Sequence, residues 1–199
     1  DFSKIEAGKL DLHRDQVRIR TLLDQIVNMF RIQAQAKGID FAYHQETFLP
    51  DVVNTDEKRL RQILINLLSN AIKYTERGVV SLTVRYRNQV AEFTIRDSGV
   101  GIAREDQERI FRPFERIRKP GAPYVHGTGL GLTITPLLTD IMGGDIHVQS
   151  EPGVGSTFTV ALMLSSVAVS PAATPMQQRV RGYVGEPRTI LLVDDEPSQ

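Results

Sequence analysis

Three groups of residues in this sequence are of types and spacings that could do chemistry. The first lies in Gln62–Thr75, QILINLLSNAIKYT. Asn66, Asn70 and Lys73 fall at i, i+4 and i+7, which places them in one stripe of a helix. The other side is apolar, with Ile63, Leu64, Leu67, Leu68, Ala71 and Ile72 at helical spacing. Two amides and a cation in an otherwise apolar helix cost free energy unless something uses them. Alone, the stripe reads equally well as a solvent edge.

The second group is DSGVGI, Asp97–Ile102, directly after a strand-like run. Gly99 and Gly101 let a backbone come close to a ligand. An ionised Asp97 carboxylate accepts hydrogen bonds and donates none. It suits the exocyclic amino group of adenine and repels the guanine carbonyl oxygen. The third group is GTGLGL, Gly127–Leu132, where a loop turns into a helix. Backbone N–H groups and the positive helix end form an anion site there, suited to phosphates. No GK[ST] follows, so it is not a Walker A loop. No strand precedes it and the third glycine is displaced, so it is a poor dinucleotide fingerprint.

The elements that must position these groups read as follows. Asp1–Leu10 is the end of a helix stopped at Gly8, and an extended stretch runs through Leu12 and Val17. Arg20–Lys37 is helical, with Gly38 as its C′ residue. Ile39–His44 alternates as a strand, and Pro50–Thr55 reads either as a plain connection or as one that contains a short strand. Thr55 or Asp56 caps the central helix. Strands follow at Val79–Arg87 and Val90–Arg96, then a short helix at Arg104–Ile110 and the segment FRPFER. Ile117–Gly127 reads as a mobile loop, Gly129–Met142 as a helix, and Asp145–Ser150 and Ser156–Leu164 as two strands. From Ser165 to Pro187 the composition turns to Ser, Ala, Pro, Gln and Gly, as in a linker. Thr189–Val193 is a buried-strand run ending in Asp194 and Asp195.

Lys and Arg number 24 and Asp and Glu number 24, so no net field draws in nucleic acid or an acidic membrane. With no cysteine, disulfides and thiolate metal sites are excluded. No apolar run approaches the roughly 20 residues that span a bilayer.

Taken in order and at these spacings, the motifs resemble the ATP-binding domain of histidine kinases, the GHKL or Bergerat fold shared with DNA gyrase and MutL. NLLSNAIKYT resembles the N box, DSGVGI the G1 box, FRPFER the F box, GTGLGL the G2 box and GVGSTF the closing strand motif. The resemblance implies a two-layer α/β sandwich, a mixed sheet with helices on one face. It implies domain limits: 1–10, the end of a dimerising helical hairpin; 11–164, the catalytic domain; 165–187, the linker; 188–199, a truncated first strand of a receiver. Kinase, linker and receiver together are expected in a hybrid sensor kinase.

The site residues follow from the same resemblance. ATP would be held by Asn66, Asn70, Lys73, Tyr74, Asp97, Gly99, Gly101, Ile102, Gly127, Thr128, Gly129, Leu130, Gly131, Leu132 and Thr157. Asn70 would give its amide oxygen to Mg²⁺, a hard, oxygen-preferring ion. Asn66 and Lys73 are the catalytic candidates. Asn66 stands where gyrase-type relatives place a catalytic Glu, and an amide is no general base, which fits transfer to histidine better than hydrolysis. Lys73 would pair with phosphate. Tyr74 would flank the base, and Thr157 would support Asp97 through its hydroxyl. Glu115–His126 would be a lid. Phe111 and Phe114 are read equally as core or lid anchor. Arg112, Arg116, Arg118 and Lys119 are read mainly as solvated charges.

None of His13, His44, His126 and His147 has the surroundings of a phosphoacceptor, which the family carries on the hairpin. The partners implied are therefore a histidine-bearing dimerisation domain of the same protein, a homodimer at full length, and a receiver or response regulator. The implied location is cytoplasmic, with the parent anchored or not in an inner membrane. One residue departs from the family: Pro136 stands inside the last helix, where a basic or polar residue is usual. Proline removes a backbone bond and bends a helix. It motivates a second reading, a degenerate nucleotide-binding module acting as a regulatory partner.

Overall fold

The structure, a computed structural model, describes residues 11–113, 115 and 131–167. The chain divides into two compact units, Asp1–Ala168 and Val169–Gln199, and the described residues all belong to the first. The expected receiver strand with Asp194 and Asp195, most of the linker, the hairpin end at 1–10, Phe114, His126, Gly127–Leu130 and nearly all of the lid lie outside them.

A five-stranded sheet carries the unit, in the order β2 (Asp40–Gln45), β4 (Val79–Arg87), β5 (Val90–Asp97), β7 (Gly155–Met163), β6 (Asp145–Glu151). β2 runs parallel to β4 and every other pair is antiparallel, so the sheet is mixed as expected. Alternation in the central strands is clear: Val80, Leu82, Val84, Ala91, Phe93, Ile95, Phe158, Val160 and Leu162 are all buried. Against them lie α1 (Ile19–Lys37) and α2 (Glu57–Tyr74), whose apolar stripes join the same core. Every residue assigned to the apolar face of α2 from spacing, Ile63 through Ile72, is buried. α3 (Gly131–Ile141) contributes Ile134 and Leu138 to that core.

Asp56, not Thr55, caps α2: its carboxylate accepts from Arg59 N–H at 3.0 Å, and its other oxygen accepts from His13 N–H at 3.0 Å. The cap therefore also fastens the strand that brings the chain in. Lys37, in the last turn of α1, donates to the carbonyls of Ile72 and Lys73 at 2.6 and 2.8 Å. It places a cation at the negative end of α2, where free carbonyls gather. Gly38 ends α1, its N–H directed at Ala34 O and Gln35 O, as its sequence position implied.

Two expectations shift. The helix expected at Arg104–Ile110 is two single 3₁₀ turns, Arg104–Asp106 and Arg109–Phe111, which tighten around the ion pair of Asp106 with Arg109 at 2.8 Å. The linker does not begin at Ser165. Ser165–Ser166 forms β8, which pairs with β3 (Val53–Thr55), itself paired to β1 (Asp15–Val17) in a three-stranded sheet. Backbone pairing demands no apolar side chain, so a Ser-Ser strand leaves no pattern to read. Among the described residues no helix is long and apolar enough to cross a membrane.

Candidate functional site

β5 ends at Asp97, opposite Ser156 on β7. The carboxyl is buried, 6% exposed. One oxygen accepts from Gly99 N–H at 2.8 Å, and both the N–H and the hydroxyl of Ser156 donate to the carboxylate. Burial pushes its pKa above the ordinary carboxylate value, and the bonds from Gly99 and Ser156 pull it partly back. The hydroxyl expected from Thr157 is thus supplied by its neighbour. In a strand, adjacent side chains point to opposite faces, so with Ser156 beside Asp97, Thr157 lies on the far face, level with Arg96 and Gln149.

The turn after Asp97 is fixed by close backbone contacts. A β-carbon on Gly99 would lie 2.4 Å from Tyr74 O, and Val100 N–H donates to that carbonyl at 3.3 Å. Gly101 has φ +64°, and a β-carbon there would lie 1.9 Å from Glu151 O. Ile102 follows, half-buried against the core, its N–H bonded to Ser150 Oγ at 2.7 Å. Ser150 also donates toward Gly155 O at 2.9 Å, and Gln107 Nε2 donates to Ser150 O at 2.8 Å. Ser156, Ser150 and Gln107 carry this corner and escaped sequence reasoning. A small polar residue in GST or QSE has no signal apart from the register that brings it to the turn.

Across the core, the stripe on α2 is present but its members differ. Asn66 is half-buried, and its amide N–H₂ donates to Gly131 O at 3.0 Å and Thr135 Oγ1 at 3.4 Å, both on α3. Its donor side is therefore engaged by protein. Among the described residues the side chain of Asn70 makes no hydrogen bond, and it is half-buried one turn along. Its amide oxygen suits a hard cation such as Mg²⁺, which binds oxygen and keeps several waters. The Lys73 ammonium stands 5.1 Å from the centre of the Tyr74 ring, a cation–π contact at the exposed end of the helix. Tyr74 is 41% exposed, beside the Gly99 turn. Of GTGLGL, Gly131 and Leu132 are described. Gly131 packs on Asn66, and Leu132 packs on the core.

Phe111 resolves in favour of packing: it meets Phe158 edge-on, ring centroids 6.5 Å apart at 89°. Arg112 and Arg109 pair with Glu115 at the surface. His147 pairs with Asp145 at 3.0 Å on exposed β6, and His44 is exposed on β2.

The arrangement joins a buried carboxylate, an exposed aromatic ring, a lysine and an amide that makes no hydrogen bond among the described residues, around the C-terminal end of one helix. Residues 55–166 match the family described as histidine kinase-, DNA gyrase B-, and HSP90-like ATPase. The chain belongs to this family. The matched span of this ATPase domain takes in α2, both turns of the site and all strands from β4 to β8. Over 203 residues it is 38% identical to the virulence sensor protein BvgS of Bordetella bronchiseptica, covering 98% of this chain and 16% of that protein. Over 163 residues it is 41% identical to the signal transduction histidine-protein kinase BarA of Escherichia coli, covering 79% of this chain and 18% of that protein. The chain thus spans less than a fifth of the length of these two relatives. Among solved structures, full-length ShkA in complex with AMPPNP is similar at TM-score 0.72 and 34% identity, over 83% of this chain and 34% of that one.

Proposed function

We propose that this ATPase domain is the catalytic domain of a hybrid sensor histidine kinase. In this reading it binds Mg-ATP between α2, the turn after β5 and the turn before α3. The γ-phosphoryl passes to a histidine on a dimerisation domain of the same protein, then to an aspartate of a receiver or response regulator. The site works on the cytoplasmic side, where ATP is supplied. Residues 1–10 are the end of the dimerisation hairpin, and 188–199 are the first strand of a receiver.

The observation that carries the reading is Asp97: a buried carboxylate at a strand end, held by a glycine turn and Ser156, within reach of the turn that carries Tyr74. It keeps acceptor capacity for the adenine amino group, and its burial makes a base without that donor costly to admit. Tyr74 offers a face to the purine, and Lys73 can leave its ring for a phosphate oxygen. Mg²⁺ held through Asn70 would supply charge compensation on the phosphates. Transfer breaks the bond from the γ-phosphorus to the bridging oxygen and forms one to an imidazole nitrogen, leaving ADP. The chain's own part is to hold the phosphates in line and exclude water, since phosphoryl transfer is mainly positioning and charge stabilisation. Asn66 cannot serve as a base for water, which favours transfer over hydrolysis.

Calorimetry with a non-hydrolysable ATP analogue and Mg²⁺ tests the site. The wild-type chain binds; Asn70→Asp and Asp97→Asn abolish binding while the fold is retained by circular dichroism. Unchanged affinity in either variant refutes the assignment. Transfer is tested in a longer chain that includes the hairpin: label from γ-phosphate should appear on histidine.

A further inference from the structure

The last four carbonyls of an α-helix have no ladder donor of their own and must be satisfied from elsewhere. In α2 they belong to Ala71, Ile72, Lys73 and Tyr74, and each has a donor. The Thr75 hydroxyl, on a residue 0% exposed, donates to Ala71 O at 2.8 Å. The Lys37 ammonium donates to Ile72 O at 2.6 Å and to Lys73 O at 2.8 Å. Val100 N–H donates to Tyr74 O at 3.3 Å. Two of these carbonyls therefore depend on one side chain from α1, and it carries the sign of charge that a helix C-terminus favours.

From Lys37 the contacts run on without a gap to the buried carboxylate. Lys37 holds the backbone of Ile72 and Lys73, and the next carbonyl, Tyr74 O, holds Val100. Gly99 packs against that same carbonyl and donates to Asp97 Oδ1 at 2.8 Å. A second cation also bridges the two helices: Arg61 donates to Gln25 Oε1 on α1 at 2.8 Å and to Glu57 Oε1 at 2.7 Å. It stands about three turns before Lys73, so it ties α1 to α2 at a distance from the site.

We propose that Lys37 is a positioning residue for the nucleotide site. By holding the final turn of α2 from α1, it fixes the backbone from which the Lys73 and Tyr74 side chains start and on which the turn after β5 is seated. The proposal rests on the nucleotide reading above. The donors of Lys37 are spent on backbone carbonyls, so it acts through Lys73 and Tyr74 and not on phosphate.

The test compares two variants of the whole chain, each lacking one of the cations that bridge α1 and α2. Lys37→Met removes the ammonium and keeps the apolar stem, and Arg61→Met removes the distant tie. Two readouts are taken under conditions where both variants are folded: affinity for a non-hydrolysable ATP analogue with Mg²⁺, and hydrogen exchange of the Gly99 and Val100 amides without nucleotide. A tie that served stability alone would leave the affinity of the folded chain unchanged. Lys37→Met should weaken binding roughly fivefold, the scale of a charged contact at a helix end, and speed exchange at both amides. Arg61→Met should change neither. Lys37→Arg, which keeps a cation with several donors, should recover most of the affinity. Equal losses in Lys37→Met and Arg61→Met, or none in Lys37→Met, overturn the proposal. If the wild-type chain binds no analogue, the nucleotide reading falls and exchange alone decides: faster Gly99 and Val100 amides in Lys37→Met but not in Arg61→Met uphold the hold on the turn, and matched rates remove it.

Discussion

The two sides of the proposed nucleotide site are built by opposite means. On the strand side, polar groups are spent on one another: Asp97 on Gly99 and Ser156, Ser150 on Ile102 and Gly155, Gln107 on Ser150. Backbone approaches backbone there so closely that glycine alone fits. On the helix side, among the described residues, the Asn70 side chain makes no hydrogen bond and the Lys73 ammonium stands over the Tyr74 ring. The strand side is pre-formed and selects by shape and by one acceptor. The helix side keeps its ligands available for charge that arrives with the substrate. This division suits a site that must recognise a rigid base but grip a hydrated, charged tail.

The largest break in that comparison is Gly101→Ala. The added methyl would strike Glu151 O in a left-handed backbone, and relief requires moving the hairpin between β6 and β7. A loss of about 3 kcal/mol or more in denaturant unfolding is expected, the scale of overpacking plus backbone strain. A loss below about 1 kcal/mol would mean the strand side is not pre-formed.

Next in size is the effect of pH on binding. The Asp97 carboxyl sits above its usual value because of burial. A proton taken up there removes the acceptor that adenine needs. Affinity for the ATP analogue should therefore begin to decline on acidification at a higher pH than an ordinary aspartate allows. A profile that falls only where an ordinary aspartate titrates, or not at all, would remove Asp97 from recognition. The sign for stability runs the other way. A raised folded-state value contributes stability fully below the unfolded value, and this is lost as pH rises through the folded one. At neutral pH the ionised Asp97 therefore works against folding, as expected of a group kept for function.

The smallest effect sharpens the helix side. Lys37→Met keeps the apolar stem and removes the ammonium from Ile72 O and Lys73 O. The expected cost is about 1 kcal/mol, with faster hydrogen exchange in the last turn of α2. A variant as stable as wild type would show that α2 holds its C-terminal end unaided.

Much of this was legible in one dimension. The apolar face of α2, its three-member polar stripe, the strand before Asp97 and the glycine stop of α1 follow from periods of 3.6 and 2 and from turn chemistry, and the mixed sheet under helices from the family resemblance of the motifs. Errors arose where the answer depended on a partner far along the chain. Ser156 and Thr157 differ by one position, and only the pairing of β5 with β7 decides which of them faces Asp97. Nothing near Lys37 hints that it serves a helix carbonyl 36 residues later, and nothing near Ser165 hints that β3 will pair with it.

By itself the sequence determined the kinds of side chain at the site and the elements that carry them, because local periodicity and backbone sterics act over a few residues. The tertiary structure decided which polar groups are satisfied by protein and which stay open. Asn66 and Asn70 are the same residue type one helical turn apart, yet the first is engaged by α3 and the second is not. Hydrogen bonds are short and directional, so that difference exists only once α3 has been laid against α2.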